Sequence, residues 1–220
     1  MNIHDSKSPN YRLIKNFLDE FESQTIFNDI SNQTEENWEL DFNKNYPKEE
    51  DVDSNMWAAI KDWKGMSMNL LEPQPSLTSS VYKNILNKSK ILMEQRFKKN
   101  LEVEQYLLNR WRVGRKQEAH IDYFLDHEDN DIESLHKNNI VDEYIESFKQ
   151  TFKTKNFSTL IYLNEDYEGG ELYFPQYDDL TIHPEKLSFI GFKGDTHHLH
   201  GVKEVKSGIR YTLSIFWKEV

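Results

Sequence analysis

His200-Gly-Val-Lys-Glu-Val-Lys-Ser-Gly-Ile-Arg210-Tyr-Thr-Leu213 reads as a strand, a Ser-Gly turn and a returning strand that opens on a cation. Side chains alternate across a strand, so Arg210, Thr212, Ser214 and Phe216 share one face while Tyr211, Leu213, Ile215 and Trp217 share the other. One face is polar at its start and the other is apolar throughout. Outward from this pair, the same period recurs at Tyr106 to Trp111, Glu118 to Leu125, Ser158 to Asn164, Glu171 to Phe174 and Leu187 to Phe192. Such closely spaced short strands, separated by turn signals such as Glu168-Gly-Gly170 and Ser207-Gly208, predict a β-sandwich or barrel.

Before Asn100 the pattern is different. Tyr11 to Phe17 predicts a strand, and Asp19 caps a helix through Phe21, Ile26, Phe27 and Ile30. Residues 31–75 are polar and acidic with scattered Trp38, Trp57 and Trp63, which predicts long loops and one short helix around Met56 to Asp62. Ser79 or Ser80 opens a further helix, with Val81, Ile85, Leu92 and Phe97 at helical spacing, ending near Lys99. Asp126 to Asn156 interrupts the strands with an acidic then helical insert (Ile132, Leu135, Ile140, Tyr144, Phe148), the kind of insertion that serves as a lid or substrate loop. The expected organisation is one domain over 1–220, with 1–105 supplying a strand, loops and supporting helices and 106–220 the β core.

A hydrophobic content of 37% is low, but the 13 Phe, 11 Tyr and 5 Trp build a core from fewer and larger side chains. With no cysteine there is no disulfide framework, no Cys-ligated zinc and no thiolate nucleophile, so any metal must bind through His and carboxylates. The net charge of −11 argues against a nucleic-acid partner, which needs a basic surface. The N-terminal residues lack a signal-peptide pattern and no apolar run reaches a membrane span, so the expectation is a soluble cytoplasmic protein with no membrane partner.

His120-Ile-Asp122 lies in an alternating run, Glu118-Ala-His-Ile-Asp-Tyr-Phe, where a strand would present both side chains on one face. A second His-x-Asp, His127-Glu-Asp129, sits in a polar acidic run and reads as a solvated loop. For a third ligand, His197, His198 and His200 all offer imidazoles, and spacing alone does not choose. The strand pair that begins at His200 and returns on Arg210 favours His200, leaving His197 and His198 as surface-loop residues. Two histidines and one carboxylate leave open positions on a ferrous ion, and an inward guanidinium suits a bidentate carboxylate ligand; the bland alternative for Arg210 is a structural ion pair with an internal Asp or Glu.

The chain resembles the Fe(II) and 2-oxoglutarate-dependent dioxygenases, and most closely their prolyl 4-hydroxylase-like branch. The family has an aromatic residue, a glycine three later and the first iron-binding His nine later, then x-Asp; Trp111, Gly114, His120 and Asp122 fall at those offsets. It continues with a strand and an acidic Gly-Gly-Glu-Leu turn, matched by Thr159 to Glu165 and Glu168 to Pro175. It closes with His-x-Val-x-x-Val-x-x-Gly-x-Arg-Tyr, matched by His200, Val202, Val205, Gly208, Arg210 and Tyr211.

The resemblance implies a double-stranded β-helix, a cupin-like jelly roll of two facing sheets with the metal in its mouth and helices against one sheet. It implies that His120, Asp122 and His200 bind Fe(II), that Arg210 holds the distal carboxylate of 2-oxoglutarate, and that Ser158, Trp111 and Phe216 lie beside this cosubstrate. Arg210 stands where prolyl hydroxylases commonly have Lys, and Trp111 where the family often has a tyrosine that hydrogen-bonds the cosubstrate. The implied reaction consumes 2-oxoglutarate and dioxygen to hydroxylate an unactivated C–H bond of a peptide, such as a prolyl residue, or of an amino acid-like small molecule. Two alternatives remain at this point: a non-catalytic metal-binding jelly roll that acts as an interaction protein, and a cupin-like enzyme that does not use 2-oxoglutarate.

Overall fold

The computed structural model describes residues 2–7, 9–34, 38, 67–71, 77–122, 156–178, 180–183 and 185–220. Its strands are β1 (Asn2–Asp5), β2 (Tyr11–Lys15), β3 (Ser67–Asn69), β4 (Leu101–Trp111), β5 (Gln117–His120), β6 (Phe157–Tyr162), β7 (Glu168–Gly169), β8 (Leu172–Phe174), β9 (Leu180–Ile182), β10 (Phe189–Lys193), β11 (His200–Val202), β12 (Val205–Ser207) and β13 (Arg210–Glu219). Helix α1 spans Glu20–Ser31 and α2 spans Ser79–Phe97. Trp57, Trp63, the short helix expected around Met56, the insert after Asp126, and His127 with Asp129 all lie outside the described residues.

A seven-stranded sheet in the order β1-β2-β10-β6-β13-β4-β3 faces a four-stranded sheet in the order β5-β11-β8-β9, and β12 pairs with β7 at one end. Neighbouring strands run antiparallel, as a jelly roll requires. Register explains why the larger sheet is covered on both sides. Ile14, Phe189, Ile161, Leu213, Leu108 and Met68 are partners in one row across six strands, and each is at most 1% exposed. This row faces the helices, packing with Ile26, Ile30, Val81, Ile85 and Met93. On the opposite face Tyr162, Ile190 and Phe192 meet Leu172, Phe174 and Ile182 of the smaller sheet.

The helices are fixed by side-chain chemistry at their ends. Asp19 and Glu22 form a reciprocal capping box, with Glu22 N–H donating to Asp19 Oδ1 at 2.8 Å and Asp19 N–H to Glu22 Oε2 at 3.1 Å. The Glu22 carboxylate also receives Lys88 Nζ at 2.7 Å and Asn84 Nδ2 at 2.8 Å, while Asp29 accepts from the Thr78 amide at 2.9 Å. Two buried acids of α1 therefore hold α2 in place, and burial costs them little because their oxygens are satisfied.

Several expected boundaries move. The strand through Glu118 ends at His120, so Asp122 stands just past it rather than two places along it, held by a hydrogen bond from its own amide to Gly194 O at 2.9 Å. The run expected as one strand from His200 to Val205 is two, β11 and β12, pairing with different partners. Leu187 is excluded from β10 because it adopts a left-handed φ of 61° and its carbonyl accepts from Phe17 N–H at 2.7 Å. Further strands lie outside the sequence expectation: β1 and β9 are too short for their period to signal a strand, and β3 falls in the polar run 31–75 read as loops.

The Glu168-Gly-Gly170 turn works as its sequence implies. Gly169 has φ 77°, and a Cβ there would sit 1.9 Å from Glu204 O. Gly169→Ala should therefore destabilise the protein by about 1–3 kcal/mol, combining backbone strain with a clash against main chain; a drop in the urea midpoint at constant slope is the check.

Candidate metal centre

Strand pairing assembles the cluster. His200 at the start of β11 is the register partner of His120 at the end of β5, and their rings lie 4.5 Å apart at the centroids. Asp122 enters between them, with Oδ1 3.5 Å from His120 Nε2 and Oδ2 3.3 Å from His200 Nε2. All three ligand-type atoms fall within 4.8 Å of one another, and among the described residues this is the one cluster of three or more metal-type side chains. His200 and Asp122 are buried and His120 is half-buried, which leaves access from one side.

Both imidazoles are oriented by main chain. His120 Nδ1 lies 2.9 Å from Glu118 O and His200 Nδ1 lies 2.8 Å from His198 O. A carbonyl can only accept, so each Nδ1 donates to it, which turns each Nε2 toward the Asp122 carboxylate; Gln117 Nε2 also lies 3.0 Å from His120 Nε2. Burial works to raise the Asp122 carboxyl, but the two neighbouring imidazoles outweigh it and hold it well below the usual carboxylate range. Ser158 Oγ, itself buried, donates to Asp122 Oδ2. The walls beyond are apolar: Phe192 meets the His200 ring edge-on at 4.6 Å and Phe174 lies at 6.2 Å. Two imidazole Nε2 atoms and one carboxylate, brought together within 4.8 Å of one another, are a donor set that fits a ferrous ion with the remaining positions open.

Arg210 occupies the same inner face of the larger sheet. Its guanidinium lies 5.1 Å from the ring of Trp111, its partner on β4, and 5.1 Å from the ring of Tyr162 on β6. It is 1% exposed, and its Nε and Nη2 have no hydrogen-bond partner among the described residues, nor does any described carboxylate pair with it. Gly170 makes room for it, since a Cβ there would approach Arg210 Cδ to 2.8 Å. A buried cation with unused donors fits an anionic ligand carrying a carboxylate.

The sequence reading missed Tyr162. Its hydroxyl is buried beside Arg210 without a hydrogen-bond partner among the described residues, and burial pushes it up to about 12 against the lowering pull of Arg210, so it remains a neutral donor. The signal was present in the alternation Ser158, Leu160, Tyr162, which puts this hydroxyl on the face of Ser158. Of the other expected cosubstrate residues, Trp111 lies against the Arg210 guanidinium, Phe216 lies half-buried in the row of Ser158, and Ser158 donates a hydrogen bond to Asp122. His197 is exposed as expected, but His198 is buried. Its Nδ1 bonds to Asp195 and its Nε2 accepts from the Asn10 amide at 3.2 Å, so it is a structural residue of the turn that carries the His200 carbonyl partner.

The sequence profile of the 2OG-Fe(II) oxygenase superfamily matches residues 106–218, the segment that contains every one of these groups. The chain belongs to the 2OG-Fe(II) oxygenase superfamily. Its sequence is 27% identical to chicken (Gallus gallus) prolyl 3-hydroxylase 1 over 151 residues, 65% of this chain and 20% of that protein. It is 33% identical to human (Homo sapiens) prolyl 3-hydroxylase 1 over 67 residues, 29% of this chain and 9% of that protein. The chain thus spans a fifth or less of these relatives' length. Among solved structures, the fold is similar to the viral collagen prolyl hydroxylase of Paramecium Bursaria Chlorella virus-1 in its 2OG complex, at TM-score 0.57 and 18% identity over 96% of each chain. It is also similar to a Trichoplax adhaerens prolyl hydroxylase solved with a hypoxia inducible factor peptide fragment, at TM-score 0.59 and 13% identity over 97% of this chain and 85% of that one. This superfamily's oxygenase takes Fe(II) as its metal and 2-oxoglutarate with dioxygen as cosubstrates.

Metal binding to the folded state alone should raise stability. At about 100 times the dissociation constant a divalent ion adds about 2.7 kcal/mol, so Fe(II) held anaerobically, or Co(II), should raise the Tm of the wild type and leave that of His200→Ala unmoved.

Proposed function

We propose that this chain is a 2-oxoglutarate-dependent hydroxylase of peptidyl side chains, with a prolyl residue as the favoured substrate. The observation that carries the proposal is Arg210: a fully buried guanidinium, with unused donors and no described carboxylate partner, on the inner face of the larger sheet, the face from which Ser158 bonds to Asp122 of the cluster that His120 and His200 complete from the smaller sheet. Isolated buried charge is costly, so the pocket is built for a ligand that brings the missing carboxylate. In this reading Arg210 binds the distal carboxylate of 2-oxoglutarate and Tyr162 donates to it. His120, Asp122 and His200 hold the metal, and Phe174 and Phe192 keep water from that side of it.

The metal and cosubstrate together supply the oxidising power when bound; the chain supplies position and dryness. Its two imidazoles keep their protons on Nδ1, and no side chain is needed as a general acid or base. The prolyl assignment is supported by the prolyl hydroxylases among both the sequence relatives and the similar folds, and a peptide by the fragment bound to one of them. Trp111 stands where the family often has a tyrosine, which would favour the non-catalytic alternative; Tyr162 weighs against it, because it supplies a phenolic donor from another strand.

Succinate release from 2-oxoglutarate with Fe(II), measured with and without proline-containing peptides, tests the proposal. Stimulation by peptide together with a mass gain of one oxygen on proline is the expected result; iron binding without turnover over such peptides would sink it. Arg210→Ala leaves a carboxylate unpaired, a change costing about 2–5 kcal/mol, so the KM for 2-oxoglutarate should rise by roughly two orders of magnitude while metal affinity holds.

A further inference from the structure

We infer that Ser158 is a positioning residue that keeps Asp122 a one-oxygen ligand and so preserves an open place on the metal. This deepens the reading of the same site and rests on it.

Both carboxylate oxygens of Asp122 are turned toward the imidazoles, Oδ1 to His120 and Oδ2 to His200, at 3.5 and 3.3 Å from their Nε2 atoms. Geometry alone would let such a carboxylate chelate a cation through both oxygens. Ser158 breaks the symmetry. Its hydroxyl donates to Oδ2 only, from a side chain 3% exposed. A lone pair engaged by a donated proton is a poorer metal donor, so Oδ1 becomes the stronger one.

The consequence lies in counting positions. Two imidazoles and one carboxylate oxygen leave room on an octahedral ion for a two-point keto-acid ligand and for dioxygen. A second carboxylate oxygen would take one of those places. The hydroxyl is held where it must be by β pairing: Ser158 lies between Phe192 on β10 and Phe216 on β13 in one row of the inner face. The Asp122 main chain is tied separately, through its amide to Gly194 O. Rotation of the carboxylate about its side-chain bonds is the one freedom left, and Ser158 removes it.

The test compares Ser158→Thr with Ser158→Val, which have nearly the same shape and differ in the hydroxyl. Co(II) titration, followed by its visible d–d absorption, reads affinity and coordination number without turnover. Thr should bind like the wild type. Val should bind Co(II) with an altered d–d band and about 10–100-fold changed affinity, the usual effect of removing a ligand's hydrogen-bond partner, and should release succinate poorly at equal 2-oxoglutarate affinity. Equal Tm values without metal confirm that folding is not the cause. Wild-type affinity and spectrum in the Val variant would overturn the inference while leaving the hydroxylase proposal intact. Active wild-type metal binding with no turnover would do the reverse.

Discussion

The larger sheet has to bury both of its faces, and everything else in the molecule follows from how its strands divide that task. The row Ile14, Phe189, Ile161, Leu213, Leu108 and Met68 is apolar from end to end, so helices must cover it. The other face cannot be uniformly apolar, because Ser158, Tyr162, Arg210, Thr212 and Ser214 point into it. A polar interior is tolerated where each group finds a partner. Here Asn109 Nδ2 donates to Ser214 Oγ at 2.7 Å, and Ser158 to Asp122, while Arg210 and Tyr162 keep donors in reserve.

That reserve separates this pocket from a structural polar cluster. The buried acids of α1 are satisfied fully, as Glu22 is by Lys88, Asn84 and its own capping box. Thr78 does the same for Asp29. Against that background an unpaired buried guanidinium is a place prepared for something else. Its neighbours are stiff: two aromatic rings at 5.1 Å and a glycine whose missing Cβ leaves just enough space. Rigid walls mean that a ligand's carboxylate meets donors already aimed, which lowers the ordering cost of binding.

The metal cluster is built differently, from two places where chain direction is pinned by main-chain bonds rather than by packing. Cross-strand register sets His120 against His200, and a hydrogen bond from the Asp122 amide to Gly194 O sets Asp122 beside them. The carbonyls of Glu118 and His198 then choose the imidazole tautomers. His198 adds a further layer, since its bonds to Asp195 and Asn10 tie the turn before β11 to the N-terminal segment. A histidine that reads as a loop residue is thereby part of the scaffold.

Much of this was legible in the sequence because it depends on local period and spacing. The alternation from Arg210 to Trp217, the Asp19 cap and the glycine turns are set by short-range chemistry, and the motif offsets of the family resemblance single out His120, Asp122, His200 and Arg210. What tertiary structure alone decided is who meets whom. Asp122 reaches the cluster from beyond a strand end, Ser158 turns to the carboxylate ligand rather than the cosubstrate, and Tyr162 joins Arg210 across β6 and β13. Each of these is a contact between strands distant in sequence, fixed by sheet register and by loop main-chain bonds, and no spacing along the chain encodes it.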